Sequence, residues 1–377
     1  LLSSQRPYWI SGRYALAFLC LLLLLTSCRE GPTHTGDWRE LRRGEDDGKW
    51  GYINHSGRFV IRPQFVDLGN FSEGLAAVVK KEGKGYGYID KTGAWVIRPH
   101  FRLAWEFSEG LAAVENRAEK WGFIDASGKV VIPFQFDAAH SFSEGLAAVE
   151  IGGAYAGNWG FIDKSGKFAI EPRFRHSSQF LYGKARFSGG VAAVEVDRSF
   201  ELIDPKGSVI ARIEAYDVHP FRDGLAMVRM RSKGKCHSDE YGYIDRTGRL
   251  AFPATFCDAR EFSEGLAAAW QDRKFGYINA IGEFAIPPRY DTASEFSEGL
   301  AAVRLDSRSA SSSYIDKTGR LVIAKIGDGR AEKFIGGLAA VDLDTPNGYL
   351  ARGAKWGYID RTGRVVCVFT RSRSGGH

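Results

Sequence analysis

Residues that build reactive centres are few in this sequence, and they are not spaced as such centres require. Five Cys and eight His are spread over 377 residues. No Cys-x-x-Cys pair and no His-Glu-x-x-His occur, so no zinc-type ligand set is legible. Gly-x-Ser-x-Gly, phosphate-loop and dinucleotide-loop strings are also missing. Nothing therefore points to a cofactor, a metal or a catalytic centre. An excess of one charge is lacking too: 51 Lys and Arg stand against 45 Asp and Glu, a net charge of +6. Removing residues 1–27 deletes Arg6 and Arg13 and no acid, which lowers it to +4. That is too little to suggest a nucleic-acid partner. With 44% hydrophobic and 25% charged residues, the chain can bury a core and is not a disordered polymer.

Long apolar runs are lacking except for one, Tyr14–Leu25, which follows Arg6 and Arg13. It falls short of the ~20 residues a membrane-spanning helix needs and matches the apolar region of an export signal. It ends in Leu25-Thr26-Ser27-Cys28, which resembles the bacterial lipobox. The resemblance implies cleavage before Cys28 and acylation of that residue. Residues 1–27 then form a lipoprotein signal peptide and 28–36 a tether. Arg29 stands where an inner-membrane retention signal would carry Asp, which favours the outer membrane in a two-membrane cell. Of the remaining cysteines, Cys236 and Cys257 either form a disulfide in an oxidising compartment or stay, with Cys367, as partly buried thiols.

What the sequence has in quantity is repetition. FSEGLAAV stands at 71–78, 107–114, 142–149 and 296–303, with close variants at 187–194, 221–228, 262–269 and 334–341. A second string, of the type WGYID, precedes most copies. Its isoleucines, from Ile53 to Ile359, are spaced by 36, 35, 38, 41, 41, 34, 37 and 44 residues. A unit this short with two apolar faces cannot fold alone and must stack on its neighbours.

One unit reads as three strands. In KWGYINHSGRFVIRPQF, Trp50 and Tyr52 point to one face and Gly51 and Ile53 to the other. Strings such as NHSG and DKTG supply an Asp or Asn that caps a type I turn and a Gly that accepts positive φ. FVI, WVI and VVI are β-branched or aromatic return strands. Pro63, Pro99, Pro133, Pro172, Pro253 and Pro287 are expected to stop pairing, because proline has no N–H. Phe71 should anchor the linker, Ser72-Glu73-Gly74 should turn the chain, and LAAV should be a strand whose small side chains admit close neighbours. Residues 37–43 are expected to stand in for LAAV in the first unit. The array then spans 37–369, with a polar tail at 370–377.

The full pattern resembles the WG repeat (KWG repeat) family. The resemblance implies a β-repeat scaffold with no general catalytic residues to carry over. The expected fold is all-β: a tandem array of eight to nine three-stranded antiparallel units, open superhelical or propeller-like. The uneven spacing favours the open form.

Repeated acids invite chemical readings. The Asp after each Ile (Asp90, Asp125, Asp163, Asp204, Asp245, Asp316, Asp360) could suggest a calcium ladder, but one carboxylate per unit is too few oxygens. Turn capping fits better. The Glu of the SEG turns (Glu73, Glu109, Glu144, Glu264, Glu298) could pair as in a glycosidase, but a five-fold repeat argues for structure. His140 and His219 share one repeat position and read as packing or loop residues. The partner-binding candidates are the long loops after LAAV, at 229–240, 304–313 and 342–355. The first carries Arg229, Arg231, Lys233, Lys235 and His237, and suits an anionic partner. The sequence thus leads to a lipid-anchored, non-enzymatic envelope protein that binds an unknown envelope protein. A cell-wall or glycan-binding module is the alternative, and a glycan-active enzyme ranks behind both.

Overall fold

The computed structural model describes residues 41–370 except 47, 82, 154–156, 176–179, 181–182, 198, 233–235, 237–238, 254–255, 307–310, 328 and 345–353. The signal peptide, the tether and Cys28 therefore lie outside the described residues, as do Lys233, Lys235 and His237. The described residues form nine separate antiparallel sheets of three or four strands. In the first sheet, β1 (Arg42–Asp46), β2 (Lys49–Ile53) and β3 (Phe59–Phe65) lie in that order. The second holds β4 (Asp67–Leu68), β5 (Leu75–Val79), β6 (Tyr86–Asp90) and β7 (Trp95–Phe101). The plan recurs to the ninth sheet, which ends at Val365–Thr370.

Three expectations change. The first described strand is Arg42–Asp46, which runs past the expected end at 43 and takes the place of LAAV in later units: Arg42 pairs with Ile53 as Ala76 pairs with Ile89, and residues 37–40 lie outside the described residues. Several units gain a fourth strand, because the crossover from one sheet runs briefly beside the next LAAV, as Leu103 does with Glu115. Thr370, expected as the first residue of the tail, closes the last strand, and 371–377 lie outside the described residues.

The prolines also behave differently from expectation. Pro63 and Pro99 lie inside their return strands. Trp50 pairs with Phe65 and Tyr52 with Ile61, so a bulge sits opposite Gly51. At the matching place in β6, a Cβ on Gly87 would come within 2.6 Å of the Ile97 carbonyl oxygen and 2.7 Å of Pro99 nitrogen. The missing N–H and the missing Cβ thus serve one bulge. Where the motif departs, the bulge changes with it. Glu201 replaces the Gly, and Phe200–Leu202 pair in unbroken register with Ala211–Ile213. Lys325 replaces the Pro, and its N–H goes to the Ser313 hydroxyl at 3.2 Å.

Each sheet is buried on both faces. Leu75, Ala77, Tyr88, Ile97 and Phe101 pack forward against Ala112, Val114 and Ile124 of the third sheet. Ala76, Val78 and Ile89 pack backward against Tyr52, Ile61 and Phe65 of the first. Alternation along LAAV thus feeds two cores at once, which explains its small side chains. Phe71 docks on the preceding sheet, its ring 4.7 Å from that of Tyr52.

The uneven spacing had favoured an open array, but the array is closed. Ile53 and Phe59 of the first sheet share a core with Leu338, Tyr358, Cys367 and Phe369 of the ninth. The joint repeats a contact made throughout. A Cβ on Gly93 would meet Ile61 of the preceding sheet at 3.2 Å, and one on Gly128 would meet Ile97 at 3.2 Å. Gly57 faces Val366 and Cys367 in the same way. Length variation is absorbed in loops, so it does not disturb the stacking angle.

Candidate functional site

The topology sorts the ring into two edges. The DxTG-type turns and the SEG turns lie on one, called here the turn edge, where Lys164 reaches Glu109 (3.2 Å) and Lys317 reaches Glu264 (3.1 Å). The loops leaving LAAV and the ends of the return strands lie on the other, the loop edge.

On the turn edge the repeated acids hold backbone. Asp90 Oδ1 accepts from the Thr92 N–H (2.9 Å), the Thr92 hydroxyl (2.6 Å) and the Ala94 N–H (3.1 Å). The arrangement recurs at Asp125, Asp163, Asp245, Asp316 and Asp360. Hydrogen bonding favours the charged carboxylate. The Ser127 hydroxyl, with the Lys129 and Ser127 N–H groups, holds Asp125 below the usual carboxylate range. The Thr318 hydroxyl and Arg320 bring Asp316 to about 2. Among the described residues no cluster of three His, Cys, Asp or Glu could hold a metal ion.

The SEG glutamates link one unit to the next. Glu73, Glu109, Glu144, Glu264 and Glu298 all sit at φ between 52° and 56°. Each carboxylate accepts a backbone N–H from the following unit: Gly110 to Glu73 at 2.9 Å, Gly145 to Glu109 at 3.0 Å, Gly190 to Glu144 at 2.7 Å and Gly337 to Glu298 at 2.9 Å. The adjacent serines make a parallel series. Ser72 donates to the Phe107 carbonyl (2.7 Å), Ser108 to Phe142 (2.8 Å) and Ser263 to Phe296 (2.7 Å). These glutamates are held apart in a line, not paired across a cleft.

The glutamate series lapses at Gly189 and the serine series at Arg222, while Ser188 still donates to the Phe221 carbonyl (2.6 Å) and Asp223 accepts the Gly265 N–H (2.8 Å). An ion cluster stands there. His219 Nδ1 lies 2.7 Å from Glu261 Oε1, and its Nε2 lies 3.4 Å from Asp217 Oδ2. Lys184 reaches Asp217 at 2.6 Å, and Arg222 pairs with Glu261. Burial alone would lower the His219 pKa, but the hydrogen bonds to Asp217 and Glu261 raise it overall. Sequence reading missed this cluster. The signal was the pair of departures at 189 and 222 beside a histidine. His140, at the same repeat position, is different: it stacks on Trp159 at 5.2 Å, and burial lowers its pKa. Phe180 of the inserted segment also stacks on Trp159, with centroids 4.8 Å apart, and its carbonyl meets the His140 ring nitrogen.

On the loop edge the basic loop is partly engaged. Arg229 pairs with Asp239 (3.2 Å) and lies 6.0 Å from the Tyr216 ring centroid. Arg231 is exposed at the end of its strand. Cys236 and Cys257 form a disulfide that ties this loop to the following crossover, and Cys367 is a buried thiol. The loop edge also displays Trp105, which is 46% exposed and stacked on buried Trp121 with centroids 5.9 Å apart.

A sequence family described as WG containing repeat matches residues 50–84, 86–118, 121–155, 159–198, 202–233, 241–274 and 275–308. No curated protein matches the chain. Among solved structures, a crystal structure of the eukaryotic initiation factor is similar with a TM-score of 0.54 and 11% identity, covering 77% of this chain and 83% of that one. At that identity the likeness concerns the fold alone. BamB from Moraxella catarrhalis aligns with a TM-score of 0.38 and 10% identity over 92% of this chain and 99% of its own. The C-terminal WD40 domain of Sif2 aligns with 0.36 and 13% over 67% and 78%.

Proposed function

Because the chain belongs to the WG-repeat family, we propose that it is a lipid-anchored bacterial envelope protein whose ring is a non-enzymatic scaffold for binding another protein. One contrast within the chain carries this reading. The turn edge is closely similar from unit to unit, and its recurring Asp, Glu and Ser side chains are occupied with the ring's own backbone. The loop edge varies much more, although the connections at 197–198 and 272–273 are both Asp-Arg. Its connections run from two residues, 272–273, to ten, 345–354. Divergent loops on a rigid repeated frame are what a recognition surface requires. The repeated carboxylates stabilise backbone N–H groups, which supports a non-enzymatic reading. The Cys236–Cys257 disulfide suits an exported protein.

Two experiments test the proposal. Fatty-acid labelling of the chain and of a Cys28→Ala variant should label only the former, and membrane association should be lost with the label. A photo-crosslinking residue in place of Arg231 should capture a partner protein that the same residue in place of Lys167 does not. Equal capture from both edges, or from neither, would count against a loop-edge scaffold.

Trp105 favours a second reading, a glycan-binding module. Its indole N–H is held by the Ala139 carbonyl at 3.1 Å while much of the ring stays exposed. A preorganised aromatic face of this kind suits sugar stacking. Retention on purified peptidoglycan that falls in Trp105→Ala and returns in Trp105→Phe would support it.

A further inference from the structure

The turn edge carries a feature that its hydrogen bonding does not explain. Just after the turn glycine the return strand begins, and in eight of the nine described sheets it is an end strand; in the sixth, Leu250 makes an isolated bridge with Ile244. Val130, Val209, Leu250, Leu321 and Val365 stand two residues after their turn glycines and Val96 three, and they are 41% to 46% exposed. Single exposed aliphatics are ordinary on a protein surface. A half-exposed aliphatic at one repeat position in five of nine units, with Val96 one place further on in a sixth, is not scatter, because the ring sets all six on one rim. Exposed apolar residues of the loop edge, such as Trp105, Ile151 and Leu305, fall at unrelated positions.

Cations accompany the belt. In six units the residue just before the strand is an exposed Arg or Lys: Arg58, Lys129, Lys167, Arg249, Arg320 and Arg364. Arg320 and Arg364 pair with their own turn aspartates at 2.9 and 3.0 Å. Glu283 is the one acid at this position. The SEG carboxylates of this edge are turned onto backbone N–H groups of the ring. Long cationic side chains beside an apolar rim can place their stems against it and their charged heads beyond it.

The chain also reaches the ring at this edge. Arg42 pairs with Ile53, the residue before the first turn. Its guanidinium donates to the Ile335 carbonyl, in the SEG-type turn that precedes the ninth sheet, at 2.6 Å. The 41 preceding residues, with the apolar run Tyr14–Leu25, therefore join at the turn edge and not at the loops.

We propose that the ring rests turn edge down on a phospholipid bilayer, with the aliphatic belt at headgroup level and the flanking cations on lipid phosphates. This rests on the envelope reading above for how the chain arrives at a membrane, and the surface itself belongs to the ring. Loops and disulfide then point away from the lipid, toward a partner.

The test uses the full chain purified from cell membranes and its Cys28→Ala variant, each mixed with phosphatidylethanolamine–phosphatidylglycerol vesicles that carry brominated acyl chains. A fluorescent amino acid replaces Val209 or, separately, Arg231. The expected result is quenching at position 209 and none at 231. Vesicle-bound chain with position 209 unquenched, or with both positions quenched alike, overturns the orientation while leaving the anchor intact. Cys28→Ala that still binds vesicles with position 209 quenched supports the orientation without the acyl chain. Failure of both chains to bind vesicles removes both readings.

Discussion

The Tyr358 hydroxyl donates to the carbonyl of Arg43 at 3.0 Å across 315 positions of sequence. Elsewhere the equivalent bond is short-range: Tyr52 to Gly69, Tyr88 to Trp105, Tyr243 to Arg260 and Tyr277 to Ser294, each 17 residues on. One interaction thus extends the array through its middle and closes it at its ends. Burial pushes the Tyr52 and Tyr88 hydroxyls well above the usual tyrosine range, so they remain donors at any ordinary pH.

Removing the closing hydroxyl should loosen the ring. Tyr358→Phe is expected to lower stability by about 1 kcal/mol, the usual net worth of one hydrogen bond. Phe123 and Phe161 already occupy the equivalent place in two units, so the ring itself should still form. Denaturant midpoints of Tyr358→Phe and wild type compare directly, and an unchanged midpoint would show that the closing bond adds nothing.

The SEG glutamates combine a strained backbone with a useful carboxylate. Glu298 sits at φ 54° and accepts from the N–H groups of Gly336 and Gly337. Glu298→Ala should cost about 2 kcal/mol, because a charged acceptor is lost while the φ stays unfavourable. Glu298→Gly should cost roughly 1 kcal/mol less, because glycine accepts that φ freely. Calorimetry of the two variants checks the order, and Ala proving milder than Gly would contradict it.

The His219 cluster makes stability depend on pH in two directions. His219 is raised, so its contribution is full below the unfolded pKa of about 6.5 and fades as pH rises through the folded value. Burial works to raise Asp217 and Glu261, but hydrogen bonds from His219, with Lys184 on Asp217 and Arg222 on Glu261, hold both below the usual range. Their contributions are full above about 4 and fade as pH falls. The cluster should stabilise most between about 4 and 6.5. In His219→Gln, the loss of melting temperature between pH 6 and 8 should flatten.

The Cys236–Cys257 bridge spans 21 residues. Closing a loop of that size typically stabilises a fold by about 2–4 kcal/mol. The Cys236→Ser, Cys257→Ser double variant should melt lower than the oxidised protein and no longer respond to reductant. An identical melting temperature before and after reduction of wild type would show that the bridge does not contribute.

Legibility in the sequence followed the range of the interaction. Asp90 as a turn cap, Phe71 as an anchor and the three-strand order of a unit were all readable, because each depends on neighbours within one repeat. Pro63 was misread as a stop, since its partner is Gly51 across a bulge, and a proline alone does not reveal what lies opposite. Glu298 was readable as structural but not as a link, because its acceptor role involves Gly337 of the next unit. His219, Glu261 and Lys184 come from three crossovers and meet only after stacking.

Local pattern alone determined that this chain is a β-repeat array, because alternation, turn residues and period all act over a few residues. That the array shuts on itself was decided in three dimensions. Gly57 meets Cys367 and Arg43 meets Tyr358 only because nine sheets, each turned by its contact with the last, add up to a full circle. A sum of stacking angles is a property of packed faces, and no single repeat encodes it. The antiparallel order within each unit puts the uniform turns on one edge and the variable loops on the other, closure makes each edge continuous, and that separation is the basis of the proposed function.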